Sequence, residues 1–270
     1  MAGEIALNTQ RLDSINDASE LYEDYYGTYM KENPLSASDD LLIAAGIIAF
    51  LDRIHLDYAD RLLPLLQPKN ISLDTFIESI RKLNDMEVVD IFFDKAVRFS
   101  EQSLSNYLLK YVYFDRKLIS LKTMLKVLFI SNRGSVVASI NTLLNVFRKK
   151  ELHDFIESEV LAAWDELKEE QPDVFPEFVK VFFRFRPNET LLILKQAIED
   201  ADETLLGIDD IDMSSHRSYR NTSDEIIEML SGFADMEDLP TALDLMFAYY
   251  LKRPDLFTEF CSICTNLTLQ

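Results

Sequence analysis

The chain is poor in everything that tight turns, cross-links and metal sites need. Six glycines and eight prolines in 270 residues are too few for a sandwich or barrel, which turns often. Two cysteines cannot build a disulfide framework, and they fit a reducing compartment. Cys261 and Cys264 form a C-x-x-C, but no second pair or nearby histidine completes a four-ligand zinc set. The three histidines, His55, His153 and His216, are widely spaced and have no Ser or Cys in a nucleophile elbow. No acid–base pair or metal site is legible, so no catalytic residue is assigned. Basic residues are also short, 27 against 47 acids, for a net charge of −20. Such a chain repels phosphate backbones and anionic lipid surfaces. The longest apolar run, Leu41 to Leu51, is far too short for a bilayer. The first residues have no basic segment followed by an apolar one, so no signal peptide is expected.

What remains is ordinary for a soluble globular protein, with 48% hydrophobic and 27% charged residues. Apolar positions recur at helical spacing. Ser72 caps a helix whose Leu73, Phe76, Ile77, Ile80 and Leu83 share one face. Glu87–Phe93 is rich in β-branched and aromatic residues and reads as a strand. Asp94-Lys95 can turn the chain, and Ala96–Phe99 returns it. Ser100 is placed to cap the next helix. Upstream, Ser38 caps a helix carrying Leu41, Ala44, Ala45, Ile48 and Leu51, where Gly46 allows a close neighbour. A second helix there carries Tyr58, Leu62, Leu63 and Leu66. Three helices followed by a hairpin predict a winged helix. Its third helix offers Arg81 and Lys82 but also Asp74, Glu78 and Asp85 nearby, which argues against a DNA reader and for protein packing.

The words Leu41–Phe50, Glu87–Asp90 and Phe99–Tyr111 resemble the winged-helix part of bacterial STAND NTPases, the NLR-like immune sensors. The resemblance implies an upstream P-loop domain, whose end residues 1–34 would supply. It implies ATP or ADP as the parent's ligand and a helical-repeat arm downstream. No G-x-x-x-x-G-K-[ST] occurs here, so triphosphate cannot be cradled by that route. Many relatives have a histidine at the start of the helix after the wing, whereas this chain has Ser100-Glu101-Gln102. Gln102 is the one cofactor-binding candidate; it could hydrogen-bond a phosphate or simply face water.

From Ile119 on, the reading is helical. Asn132-Arg-Gly134 is expected to break the chain, and Pro172 and Pro187 to open helices. Glu157, Glu159, Asp165, Glu166, Glu169 and Glu170 look like one solvent face. Trp164 reads as a packing anchor. Thr222 with Glu225 makes a capping box. Pro172–Phe178 and Pro254–Phe260 agree at five of seven positions, 82 residues apart, which suggests a degenerate helical repeat. Between them lies an acidic loop near 199–222, without an EF-hand's spacing. Arg184, Arg186, Arg217 and Arg220 could converge to meet an acidic partner.

The expected fold is mainly α: a helical segment over 1–34, a winged-helix domain with a small β-hairpin over 35–115, and a HEAT- or TPR-like helical array over 116–270. A helix beginning so near residue 1 suggests a piece of a longer chain. The expected function, as the resemblance implies, is a non-catalytic regulatory segment of a cytoplasmic STAND-type NTPase in antiviral defence or signalling. Its winged helix would pack on a nucleotide domain in cis and its arm would recognise a ligand protein, with no membrane and no nucleic acid. The alternative is a free-standing α-solenoid scaffold.

Overall fold

The computed structural model describes residues 18–204, 224–257 and 259–261. Expectations placed on Thr222, His216, Cys264 and the acidic loop beyond Thr204 lie outside those residues, as do those on 1–17. The described chain is mainly α with one small three-stranded antiparallel sheet. It forms two compact units, one running to Phe178 and one from Val179.

The first unit begins with α1 (Ala18–Glu32) and α2 (Asp39–Leu51), followed by β1 (Arg53–His55). A 3-10 segment (Leu56–Leu62) runs into the short α3 (Leu63–Leu66), then come α4 (Leu73–Asp85), β2 (Val89–Phe92), β3 (Ala96–Phe99) and α5 (Gln102–Lys110). From α2 to β3 this is the winged-helix order, with sheet order β1-β3-β2. The expected hairpin is present. The strand β1 was not expected, because three residues are too few for a period-two pattern to register. Ser72 caps α4 as expected, its Oγ accepting from the Thr75 N–H at 3.1 Å. Phe76, Ile80 and Leu83 are buried beneath it. Ser100 does not cap α5. The chain enters that helix through Glu101, whose carboxylate instead accepts from the Tyr26 hydroxyl at 2.8 Å and from Ser103.

Every residue of α2 from Leu41 to Leu51 is buried, so the helix is a core rod rather than an amphipathic one. Gly46 is its point of closest approach. A Cβ there would lie 2.6 Å from Val112 Cγ1. Val112 belongs to a π-helical turn (Tyr111–Asp115) closed by the Arg116 N–H donating to the Tyr111 carbonyl at 2.8 Å. The same turn lets the Tyr113 hydroxyl donate to the Gly46 carbonyl at 3.1 Å.

That turn also brings Asp115 back to Lys110. The Lys110 side chain is only 3% exposed, and its ammonium donates to Glu23 at 2.6 Å and to Asp115 at 2.8 Å. It lies 5.9 Å from the ring centres of both Phe114 and Phe147. Lys149 reaches the same Glu23 oxygen at 2.9 Å. Burial alone would push the ammonium down, but the hydrogen bonds to Asp115 and Glu23 hold it above its usual value. Burial pushes Glu23 up, yet Lys110 and Lys149 outweigh it and leave the carboxyl below its usual value. For Asp115 burial wins, and its carboxyl is raised.

α6 (Leu121–Val146) and α7 (Lys150–Glu170) pack side by side. As expected, the helical path is interrupted at Asn132, whose φ −138° and ψ 34° are non-helical, so α6 is two helical stretches joined at a kink. Among the described residues α6 is the one helix long and apolar enough to cross a membrane by length and composition. Its Leu121, Leu125, Leu128, Val136, Ile140 and Leu143 are buried in the protein core. The acids of α7 are not all a solvent face. Glu159 accepts from the Lys122 N–H at 2.8 Å, and Glu166 pairs with Lys122 and Lys126. Trp164 is fully buried, edge-on to Phe175 at 5.3 Å.

α8 (Phe175–Phe182) leads into the second unit, a helical array of α9 (Pro187–Asp200), α10 (Glu225–Ser231) and α11 (Leu239–Lys252). Asp224 caps α10, its Oδ1 accepting from the N–H groups of Ile226 and Ile227 at 3.0 Å each. The Tyr249 hydroxyl donates to the other oxygen of Asp224 at 2.9 Å. Burial, and then that carboxylate, push the phenol up to about 12. The two copies of the repeat are built alike. Gln171 and Arg253, each before the proline, have φ/ψ of −138°/65° and −124°/63°. Each donates its N–H to a carbonyl four residues back, Leu167 or Tyr249, at 2.9 Å.

Two outcomes follow. Gly46→Ala overpacks the α2 seam and lowers unfolding free energy by about 1–3 kcal/mol in urea titration, and Val112→Ala in the same chain recovers most of it. Lys110→Ala, which leaves Asp115 without its ammonium and Glu23 with Lys149 alone, costs about 3–5 kcal/mol.

The acid limb gives a third. A depressed carboxyl adds stability above its unfolded value, and that stability is lost as pH falls through the folded value. Asp115, held up by burial, acts oppositely. Glu23→Gln therefore flattens the fall in stability between about pH 6 and pH 3, read by urea midpoints. A limb identical to that of the unmodified chain refutes the assignment.

Candidate functional site

The wing gathers exposed aromatic and charged side chains on one sheet face and the turn beside it. Register fixes which side chains share a face. Arg53, Arg98 and Asp90 stand in one row across the sheet, and His55, Ala96 and Phe92 in the next. The alternate residues Ile54, Val97, Val89 and Phe99 are buried against the helices, as period-two geometry requires. The outward face is thus set by the core on the other side, because a slip of one residue would bury the arginines.

This face joins aromatics to guanidinium groups. Phe92 is 42% exposed, Tyr58 is 56% and Phe93 is 93%. The Arg98 guanidinium lies 5.9 Å from the Phe92 ring centre, and that of Arg61 lies 5.0 Å from Tyr58. His55 packs on Tyr58 at 5.5 Å, with Asp57 3.8 Å from its Nδ1. Exposed aromatics with arginines are the residue types that dominate protein–protein binding energy. Asp57, Asp60, Asp90 and Asp94 are interspersed with Arg53, Arg61, Lys95 and Arg98, so the patch is mixed in sign. That suits a protein surface and does not suit a phosphate backbone. In α4 the Lys82 ammonium is already paired with Glu78 at 2.8 Å.

The turn at the wing tip is strained. Its central residues are Phe93 and Asp94 (φ 53° and 54°), not Asp94-Lys95, and it closes with the Lys95 N–H donating to the Phe92 carbonyl at 2.9 Å. Two left-handed residues make a type I′ turn, which normally takes Asn-Gly. A phenylalanine there costs about 1–2 kcal/mol and is held out in solvent. Strain combined with an exposed ring makes the tip a candidate site.

The other candidate residues are placed as follows. Gln102 stands exposed in the first turn of α5, its amide donating to Asn106 at 2.9 Å. It lines a mixed polar and apolar cleft of about 230 Å³ with Asp52, Leu109, Ser135, Ala138, Ser139 and Thr142. Ser135 and Ser139 donate to the Leu51 and Phe50 carbonyls at the end of α2, at 3.1 and 2.6 Å. A carboxylate beside the negative end of a helix disfavours an anion such as phosphate. Arg184 holds Asp235 with two bonds, at 2.7 and 3.0 Å. Arg186 pairs with Glu189 at 2.9 Å. Arg217 and Arg220 lie outside the described residues. Among the described residues no cluster of three or more His, Cys, Asp or Glu could hold a metal ion.

Replacing Phe93-Asp94 by Asn-Gly raises the unfolding free energy by about 1–3 kcal/mol, measured by thermal and urea denaturation, while removing the exposed ring. Comparison with protein-family models, with curated proteins and with solved structures found no match.

Proposed function

We propose that this chain is a non-catalytic regulatory segment acting through protein contacts, of the kind found in STAND-type NTPases. In this reading the winged helix docks through its aromatic and arginine-bearing wing onto a nucleotide-binding domain of the same longer protein. That contact holds the domain in its resting state. The helical array is the sensing arm and recognises a ligand protein in the cytoplasm, in antiviral defence or signalling. ATP or ADP belongs to the parent's nucleotide domain and not to this chain. The observation that carries the reading is the strained, solvent-exposed Phe93 at the tip of a winged helix whose outward sheet face joins Phe92 and Tyr58 to Arg98 and Arg61. A second reading, a free-standing helical scaffold, draws support from the matching turns at Gln171 and Arg253.

A thermal-denaturation series with Mg-ATP and Mg-ADP tests the placement of the nucleotide. A site filled at a hundredfold excess over its dissociation constant would stabilise the fold by about 2.7 kcal/mol, a rise of several degrees. No rise is expected, and a clear one overturns the reading. An upstream reading frame encoding a P-loop supports the regulatory reading, and a frame without one supports the scaffold.

A further inference from the structure

Helix α11 is apolar on two sides. Ala242, Met246 and Tyr249 close the core of the second unit. The other side carries Leu243, Phe247 and Leu251, which are 40%, 62% and 67% exposed. Between that side and the turn that follows lies a groove of about 430 Å³, lined by Phe247, Tyr250, Phe257 and Phe260 among others.

The repeat supplies an internal standard for this position. Setting Pro254 on Pro172 aligns α11 with α7. The buried residues then correspond: Ala242 with Val160, Met246 with Trp164, Tyr249 with Leu167, and Phe260 with Phe178. The outward residues do not correspond in character. Phe247 and Leu251 stand where the first copy has Asp165 and Glu169, both exposed. The aromatic frame differs too. In the first copy the Trp164 indole fills the space against Phe175 at 5.3 Å and Phe178 at 6.4 Å, and the Lys168 ammonium lies 6.0 Å from the Phe175 ring centre. In the second copy Met246 replaces the indole, and Tyr250 takes the lysine's place 6.0 Å from Phe257. One repeat is sealed and wet outside. The other is open and greasy.

We propose that the α11 groove seats the apolar face of a cationic amphipathic helix from another protein, with a bulky apolar side chain entering beside Met246. The proposal deepens the reading of the array as a sensing arm by naming the surface and the ligand class. Helix-in-groove binding takes anchors spaced at helical intervals, and Leu243, Phe247 and Leu251 offer such a stripe. Charge decides the occupant. Asp244 lines the groove, and Glu237 and Asp238 stand at the start of α11. From Val179 on the sequence holds 17 acidic and 8 basic residues. A second copy would bring the same sign to the contact, whereas a lysine-rich helix would complement it.

The test uses the whole chain and two labelled designed peptides about five turns long. Both have leucines and one tryptophan on the apolar face, one with lysines and the other with glutamates on the polar face. Fluorescence anisotropy is expected to show saturable binding of the lysine peptide and at least tenfold weaker binding of the glutamate peptide. Phe247→Asp and Leu251→Glu restore the first copy's residues at exposed positions, and each is checked for an unchanged melting temperature. Each is expected to weaken the lysine peptide at least tenfold, although the added carboxylate would strengthen a purely Coulombic contact. Unchanged or tighter binding by these variants overturns the proposal, as does absence of binding by the unmodified chain. So does sedimentation as a dimer that Phe247→Asp dissociates, which would assign the stripe to self-association. None of these results depends on nucleotide, so a failure here leaves the placement of the nucleotide site standing, and the reverse holds.

Discussion

A single buried ammonium organises the first unit. Lys110 stands at the end of α5, and its partners come from α1 and from the π turn beyond. A lysine this buried keeps its charge only because carboxylates are fixed beside it. That need ties three separate pieces of chain to one point. Lys149, just before α7, adds a fourth through Glu23. The π turn then presents Val112 and Tyr113 to Gly46, so the same insertion that places Asp115 also locks the central helix α2. Charge pairing and close backbone packing therefore depend on one five-residue segment.

The wing and the α11 groove use two different ways of leaving a surface unfinished. On the wing, a well-packed inner face of Val89, Ile54, Val97 and Phe99 dictates an outer face of arginines and rings, and backbone strain at Phe93 is tolerated at the tip. In the second unit, a repeat that elsewhere closes over an indole is built with a smaller side chain and left open. Both surfaces carry residues suited to desolvation against another protein.

Much of the fold was legible because local signals agreed with one another. Ser72 with Phe76, Ile80 and Leu83 announces α4, since the cap and the period point to the same helix. Pro187 announces α9, and Gly46 announces a close approach. What was not legible depends on contacts distant in sequence. The strand Arg53–His55 exists because β3 pairs with it. Glu101 rather than Ser100 opens α5, and its carboxylate is used by Tyr26, 75 residues away. The turn falls one residue early because a phenylalanine occupies a conformation that sequence rules reserve for asparagine or glycine. The acids Glu159 and Glu166 have the periodicity of a wet face but meet lysines of α6. The candidate surfaces were the least visible, because exposure of Phe93, Phe247 or Leu251 is a property of what the rest of the chain fails to cover.

The bend at Asn132 has a consequence for where α6 can reside. It divides the helix into straight rods of about 16 and 21 Å at 1.5 Å per residue, each short of the ~30 Å hydrocarbon slab of a bilayer. Entering lipid would place the non-helical residue Asn132 and its polar side chain in hydrocarbon. It would also strip Lys122 and Lys126 from Glu166, exchanging a satisfied ionic clasp for bare ammonium groups in oil.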